Sequence, residues 1–335
     1  MATNLFEDAL AGKPRSYGAQ TPVKFDGGVY EALMAEFLDP RMRVQPRPLY
    51  RHTTSEARHY FAVDLDAGLV QWFKSVTTAI KAVWNQPHLQ KWIMEVGTEE
   101  AERIRDEAAA YGTFMHAVCG EYLQTGELDL SDAALEMKLF EWAEKQKMPT
   151  VPRFWRHKIK QDAAAFAQWV YDYDVRPLAI EILLSCPDMQ MAGAIDLVVE
   201  MNDKRYTKTD LSKRKRIVCM VDMKSTRKGA QDTHRIQMEL YLRLWRSNFP
   251  DVQIDELAVW SPKNWEGREP SYSFSKVLDR IPPEMVELVV QVAKIMVPNP
   301  SPRLVFTKPL RVGEIPALTL AWRTPEEIIL DQFSK

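Results

Sequence analysis

Residues 191–201 read MAGAIDLVVEM and residues 216–224 read RIVCMVDMK. Both stretches are rich in β-branched and apolar residues, which predicts two strands, and the continuous apolar run of the second predicts a central strand covered on both faces. The connection between them is centred near residue 209, and Asp196 and Asp222 lie equidistant from that centre. If the strands pair antiparallel without a bulge, the two carboxylates face each other with Cβ atoms about 5 Å apart. Like charges so placed repel, and a purely structural sheet would avoid them. A divalent cation removes the objection, because hard ions such as Mg²⁺ or Mn²⁺ prefer clustered carboxylate oxygens. Lys224 stands two residues beyond Asp222, on the same strand face. Its ammonium can neutralise charge developing on a phosphate or help orient a water. A lone Asp-x-Lys is usually a surface ion pair. On a buried strand opposite a second Asp, it is an arrangement suited to phosphodiester chemistry.

Outward from this pair the periodicity changes. A further strand is expected over residues 178–186 and another over 257–260, with amphipathic helices over 231–247 and 282–296. Upstream, Ser75 and Thr77 can cap a helix carrying Ile80, Val83 and Trp84. A charge-rich helix over 95–110 is followed by one over 113–123, which Gly112 and Thr113 open, with His116 near its start. Ser131 and Asp132 open a fourth helix, and 162–173 forms a fifth. Residues 1 to about 70 carry scattered prolines (Pro14, Pro22, Pro40, Pro46, Pro48) and one helix-like stretch near 30–38. The resulting division is a poorly patterned segment over 1–74, a helical region over 75–176, a core of sheet and helices over 177–297, and a Pro-rich tail over 298–335. Helices followed by a mixed sheet with a crossover helix indicate an α/β or α+β core.

Bulk properties set the class. Forty-four Lys and Arg against 46 Asp and Glu leave a net charge of -2, so a nucleic-acid partner must be held by a local patch. Cys119, Cys186 and Cys219 are odd in number and far apart, which argues against a disulfide framework and a zinc ribbon and suits a reducing compartment. No apolar run approaches the roughly 18 residues of a membrane span, and residues 1–30 lack a signal peptide's apolar segment. The expectation is a cytoplasmic protein.

Gln237 and Tyr241 are spaced i, i+4 on the helix after Lys224. With Gly112-Thr113-x-x-His116 upstream, Gly193-x-x-Asp196 and Asp222-x-Lys224, the order GT-x-x-H, G-x-x-D, D-x-K, Q-x-x-x-Y closely resembles the RecB-like branch of the PD-(D/E)XK nuclease superfamily. It is similar to the phage, mitochondrial genome maintenance and CRISPR-associated exonucleases of that branch. The likeness covers roughly residues 75–245 and includes Ser75-Val76-Thr77. It implies a restriction-endonuclease-like α/β core, a mixed central sheet flanked by helices, with an N-terminal helical region. It implies Asp196 and Asp222 as metal ligands, Lys224 as the catalytic lysine, and His116 as a further ligand or metal-proximal group. Glu181, flanked by Ile180 and Ile182, falls where related nucleases often carry another acid. Gln237 and Tyr241 would orient the lysine or the DNA backbone. Implied too are Mg²⁺ or Mn²⁺, a DNA substrate attacked at its ends, a replication or recombination partner, and a bacterial or phage-infected cell. Some relatives hold an iron–sulfur cluster on four cysteines; three cannot supply that set, so no cluster is expected.

Blander readings stand beside these. Gln237 and Tyr241 also suit packing and capping, Glu121 a solvated helix face, and Trp142, Trp155, Trp169 and Trp245 a core. Lys204, Arg205, Lys208, Lys213, Arg214, Lys215 and Arg216 form a basic connection, either a solvated turn or a flap that grips phosphates together with Arg227, Lys228 and Arg235. Two alternatives to an exonuclease remain, a non-catalytic DNA-binding or assembly subunit and a structure-specific endonuclease. The intact acids and lysine speak against the first.

Overall fold

The computed structural model describes residues 23–25, 28–30, 32–53, 57–64, 69–83, 87–146, 148, 151–203, 215–226, 232–265, 269–277, 281–300, 304–306 and 318–320. Among the described residues the first elements are strands β1 (Val23–Phe25), β2 (Gly28–Tyr30), β3 (Phe37–Leu38), β4 (Tyr50–Thr53), β5 (Arg58–Asp64) and β6 (Leu69–Ser75). Five helices follow: α1 (Val76–Val83), α2 (Pro87–Val96), α3 (Thr98–Thr125), α4 (Asp132–Gln146) and α5 (Phe154–Tyr173). Then come β7 (Arg176–Cys186), β8 (Met191–Asn202), β9 (Arg216–Met223), α6 (Asp232–Asn248), β10 (Glu256–Pro262), β11 (Tyr272–Lys276), α7 (Pro283–Met296), β12 (Leu304–Phe306) and β13 (Leu318–Leu320). No described helix is long and apolar enough to cross a membrane.

One mixed sheet organises the molecule, in the order β11-β10-β9-β8-β6-β5-β4, with β7 pairing both β8 and β3. This is the expected α/β core of mixed sheet and flanking helices. β9 and β10 run parallel, so a crossover must join them, and α6 supplies it. Two cores explain the unbroken apolar run of β9. Cys219 and Val221 pack toward α3, α4 and α5, whereas Met220 packs toward α1, α6 and α7.

β8 is the pivot of the sheet. β7 lines one of its edges from Met191 to Glu200. The other edge is shared: β6 pairs with Met191 and Ala192, and β9 pairs from Leu197 onward. The β8–β9 ladder runs Leu197↔Val221 to Asn202↔Arg216, the antiparallel register that the sequence spacing predicts. One step further on, Asp196 falls opposite Asp222, at the fork where β6 and β9 part.

Several expectations are corrected. The stretch near 30–38 is extended where it is described: Phe37 pairs with Ile180, and Glu36 N–H donates to the Ile180 carbonyl at 3.1 Å. Pairing with the edge of β7 overrides a helix-like pattern that has too few buried residues to hold a helix. The separate helices expected over 95–110 and 113–123 are one 28-residue helix, α3, and Gly112 lies inside it. Thr113 is no cap either, since its Oγ1 donates back to the Ala109 carbonyl at 3.0 Å. Glycine weakens a helix by only about 1 kcal/mol, which the buried face of Tyr111, Phe114, Met115 and Val118 offsets. α3 ends at Gly126, in the left-handed region at φ 75°. α5 starts at Phe154, eight residues before the expected Asp162, because Trp155 and Ile159 are buried in the same core. Trp155, Trp169 and Trp245 are fully buried, as a core reading requires, and Trp142 is partly buried.

α6 lies close on β8. A Cβ added at Gly193 would stand 2.7 Å from Tyr241 Cε1 and 3.3 Å from Val76 Cγ2. Gly193→Ala should therefore push the buried Tyr241 ring off its packing and lower stability by about 1–3 kcal/mol, the usual cost of overpacking. Chemical denaturation checks this, and a loss under about 0.5 kcal/mol would mean that the ring swings aside freely.

Candidate active site

Three acids from three neighbouring strands form one row. The β7–β8 register, Ile180↔Leu197 and Ile182↔Ile195, sets Glu181 opposite Asp196, and the β8–β9 register continues the line to Asp222. Side-chain alternation changes here. Ile180 and Leu197 pack into one core while Ile182 and Ile195, two positions away on the same strands, pack into the other. Glu181 absorbs the change with a left-handed backbone, φ 47°, an uncommon conformation for a residue other than glycine.

His116, from the middle of α3, closes the row. Its Nε2 lies 3.1 Å from the Met223 carbonyl, which can only accept, so Nε2 carries a proton. Nδ1 then faces Glu181 Oε1 at 2.9 Å and Asp196 Oδ1 at 3.8 Å. One ligand atom each from His116, Glu181 and Asp196 lies within 4.8 Å of the others. A metal-binding histidine characteristically fixes its other nitrogen on a carbonyl or carboxylate, and the Met223 carbonyl does this for His116. The donor set suits a divalent cation.

Asp222 is buried, with Lys224 Nζ 2.9 Å from Oδ1 and 2.7 Å from Oδ2. Only the contact to Oδ1 has hydrogen-bond geometry. Oδ2 makes no hydrogen bond despite being buried, which leaves it able to take up a cation. Gln237 Nε2 donates to Asp222 Oδ1 and to the Tyr241 hydroxyl, both at 3.1 Å, so Gln237 fixes the acid rather than the lysine. Asp196 Oδ2 accepts the Met223 N–H at 2.7 Å.

Charge is finely set in this site. Burial, together with the charges of Asp222 and Glu181, pushes Asp196 up to about 7 against the opposing pull of His116 and Lys224. Burial disfavours the His116 cation, yet Asp196, Glu181 and the Met223 carbonyl outweigh it and hold the imidazole up to about 9. Burial likewise opposes the Lys224 ammonium, but Asp222 and Asp196 keep its pKa above the ordinary lysine value. Burial and then the same two carboxylates raise Tyr241 well above a free tyrosine, so its hydroxyl stays protonated.

Other expected residues fall elsewhere. Glu121 pairs with Lys138 at 2.5 Å, a helix-surface ion pair. Arg216 clamps Asp174 at 2.7 Å and the carbonyls of Asp174 and Glu200, so it braces the sheet instead of gripping phosphate. Lys215 is exposed and Arg235 partly buried, whereas Lys204, Arg205, Lys208, Lys213, Arg214, Arg227 and Lys228 lie outside the described residues. Sequence reasoning missed Lys158. Its Nζ sits 3.5 Å from the Tyr111 ring centre, 2.8 Å from the buried Asp162, and 3.4 Å from the Ser225 carbonyl beside Lys224. The i, i+4 spacing of Lys158 and Asp162 carries the signal, but only on a helix that begins at Phe154 and not at Asp162.

The model of the PD-(D/E)XK nuclease superfamily matches residues 91–293, more than half of the chain. The chain belongs to that superfamily. It is therefore a nuclease of a class that uses divalent metal ions and acts on DNA. No curated protein matches the chain.

A carboxylate raised to about 7 destabilises the fold as pH climbs from the free-acid range through 7, because the unfolded chain ionises first. At pH 8 without metal, Asp196→Asn should consequently melt at or above the wild-type temperature, since its amide oxygen can still accept from Met223. Mn²⁺ at a hundred times its dissociation constant should stabilise wild type by about 2.7 kcal/mol and the variant by far less. A variant that melts clearly lower and keeps the full Mn²⁺ shift would make Asp196 a structural hydrogen-bonding residue.

Proposed function

We propose that this nuclease is a DNA exonuclease of the RecB-like branch, which hydrolyses phosphodiesters from DNA ends with Mg²⁺ or Mn²⁺ during replication, recombination or genome processing. The observation that carries the reading is the line of Glu181, Asp196 and Asp222 across three strands, closed by His116 at one end and Lys224 at the other. The order of the four motifs supports the branch, and with it the preference for ends.

His116, Glu181, Asp196 and Asp222 would hold the cation. A divalent ion there supplies Lewis-acid activation of water and neutralises charge on the phosphate. The chain's own groups do the rest. Lys224, kept charged against its burial by Asp222 and Asp196, offsets charge growing on the phosphoryl oxygens. Gln237 uses both amide protons to hold Asp222 and Tyr241 in place. The Met223 backbone holds two site residues at once, donating its N–H to Asp196 and accepting from His116 at its carbonyl. The basic residues Lys213, Arg214, Lys215, Arg227, Lys228 and Arg235 would add affinity for the DNA backbone.

Lys224→Ala and Asp222→Asn should each lower cleavage by about a hundredfold or more while leaving DNA binding largely intact. Either variant within tenfold of wild type, roughly 1.4 kcal/mol of barrier, would remove the mechanism. End-labelled linear DNA and circular DNA, single- and double-stranded, test the preference for ends. Linear substrates should be degraded with Mg²⁺ or Mn²⁺ and spared with EDTA, while circles survive. Equal cleavage of circles would make the enzyme an endonuclease.

A further inference from the structure

The row of acids does not stop at Glu181. β3 pairs antiparallel with β7 through Phe37↔Ile180 and Leu38↔Ala179, and one more step in that register sets Glu36 opposite Glu181. The hydrogen bond from Glu36 N–H to the Ile180 carbonyl, 3.1 Å, pins the backbone at this point. Four neighbouring segments thus carry Glu36, Glu181, Asp196 and Asp222 in one line. Exposure rises steadily along it: the side chains of Asp222, Asp196 and Glu181 are 1%, 13% and 24% exposed, and Glu36 lies exposed at the rim.

The carboxylate of Glu36 reaches over α3 at Gly120, one turn beyond His116. A Cβ at Gly120 would stand 3.0 Å from Glu36 Oε2 and 3.3 Å from Ile180 Cγ2, so a larger residue there would crowd the acid. Among the described residues the Glu36 carboxylate forms no hydrogen bond or ion pair. An acid set cross-strand from another acid is unfavourable in the metal-free protein. It becomes favourable when a cation occupies the line, because one divalent ion attracts every carboxylate near it.

We propose that Glu36 is a rim carboxylate of the metal site, contributed from outside the superfamily-matched segment, whose charge strengthens the hold on a divalent cation. The inference rests on the reading of His116, Glu181 and Asp196 as ligands. Glu36 acts at the edge of that set, on the solvent side from which a hydrated ion enters, and its charge aids retention without belonging to the buried core of the site.

Calorimetric titration of the metal-free full-length protein with Mn²⁺ tests this in wild type, Glu36→Gln and Asp196→Asn. Glu36→Gln should weaken Mn²⁺ binding by about tenfold, the order expected for removing the Coulomb attraction of one carboxylate for a divalent ion at a partly exposed site. Its metal-free melting temperature should equal or exceed that of wild type, because a repulsion has gone. Binding within twofold of wild type would overturn the role of Glu36, as would a lower melting temperature with unchanged affinity, the signature of a merely structural residue. The Asp196→Asn arm separates this failure from a deeper one. If that variant binds Mn²⁺ as tightly as wild type, or if wild type binds none, the ligand reading itself falls and the inference falls with it.

Discussion

Everything near the site answers to one electrostatic constraint, the mutual repulsion of carboxylates in a place from which water is largely excluded. Asp196 is hemmed between Glu181 and Asp222, and its pKa near 7 expresses how poorly the folded protein tolerates its charge. Burying an acid among acids costs several kcal/mol unless hydrogen bonds and opposite charges offset it. The offsets are specific: His116 at one end, Lys224 at the other, and the Met223 N–H in the middle. None is complete, since Asp222 Oδ2 is left without a hydrogen bond. A protein selected for stability alone would replace this row with Val and Ile. Retention of the acids is intelligible for a chain of the PD-(D/E)XK superfamily, whose chemistry needs a cation where the charges converge.

The sheet is shaped by the same requirement. A regular strand would continue its alternation through Glu181, but the left-handed backbone there changes which core receives the next residue. On β8 the corresponding change falls at Asp196, where β6 has left one edge and β9 has just joined it. The fork leaves Asp196 and Asp222 just past the end of the β8–β9 ladder, while Glu181 and Asp196 stay within the β7–β8 ladder. Doubly covered strands deliver the backbone to the site, and besides the bulge between Pro177 and Ala179 the change of alternation follows one line of residues.

The central strands were legible because two-sided burial and a period of two specify register strongly, and a slip of one residue would have separated Asp196 from Asp222. His116, Gln237 and Tyr241 were legible through motif order alone, since neither period nor charge marks them. The meander β4–β5–β6 was overlooked, although RHYFAVD and LVQWFKS carry the aromatic and β-branched residues of strands. Prolines and charges on its neighbours masked that pattern. The extended stretch before β7 was beyond sequence reasoning. Its hydrogen bonds go to a strand more than 140 residues away, and a local propensity carries no information about such a partner.

The glycines of the motifs illustrate how far a motif differs from its physical cause. Gly112 reads as a helix opening, yet it sits mid-helix, and a Cβ there would meet Ser225 Oγ at 3.4 Å, an ordinary contact. Sterics do not demand glycine at that position. Gly193 is different, since any side chain would strike the Tyr241 ring at 2.7 Å. The Tyr241 hydroxyl in turn accepts a hydrogen bond from Gln237, whose other amide N–H holds Asp222. A missing methyl group on β8 thus allows α6 to come close enough for Gln237 to reach the acid on β9. The G-x-x-D and Q-x-x-x-Y motifs are therefore one packing unit in this protein. The glycine sets the distance between sheet and helix, and that distance decides whether the amide can hold the carboxylate.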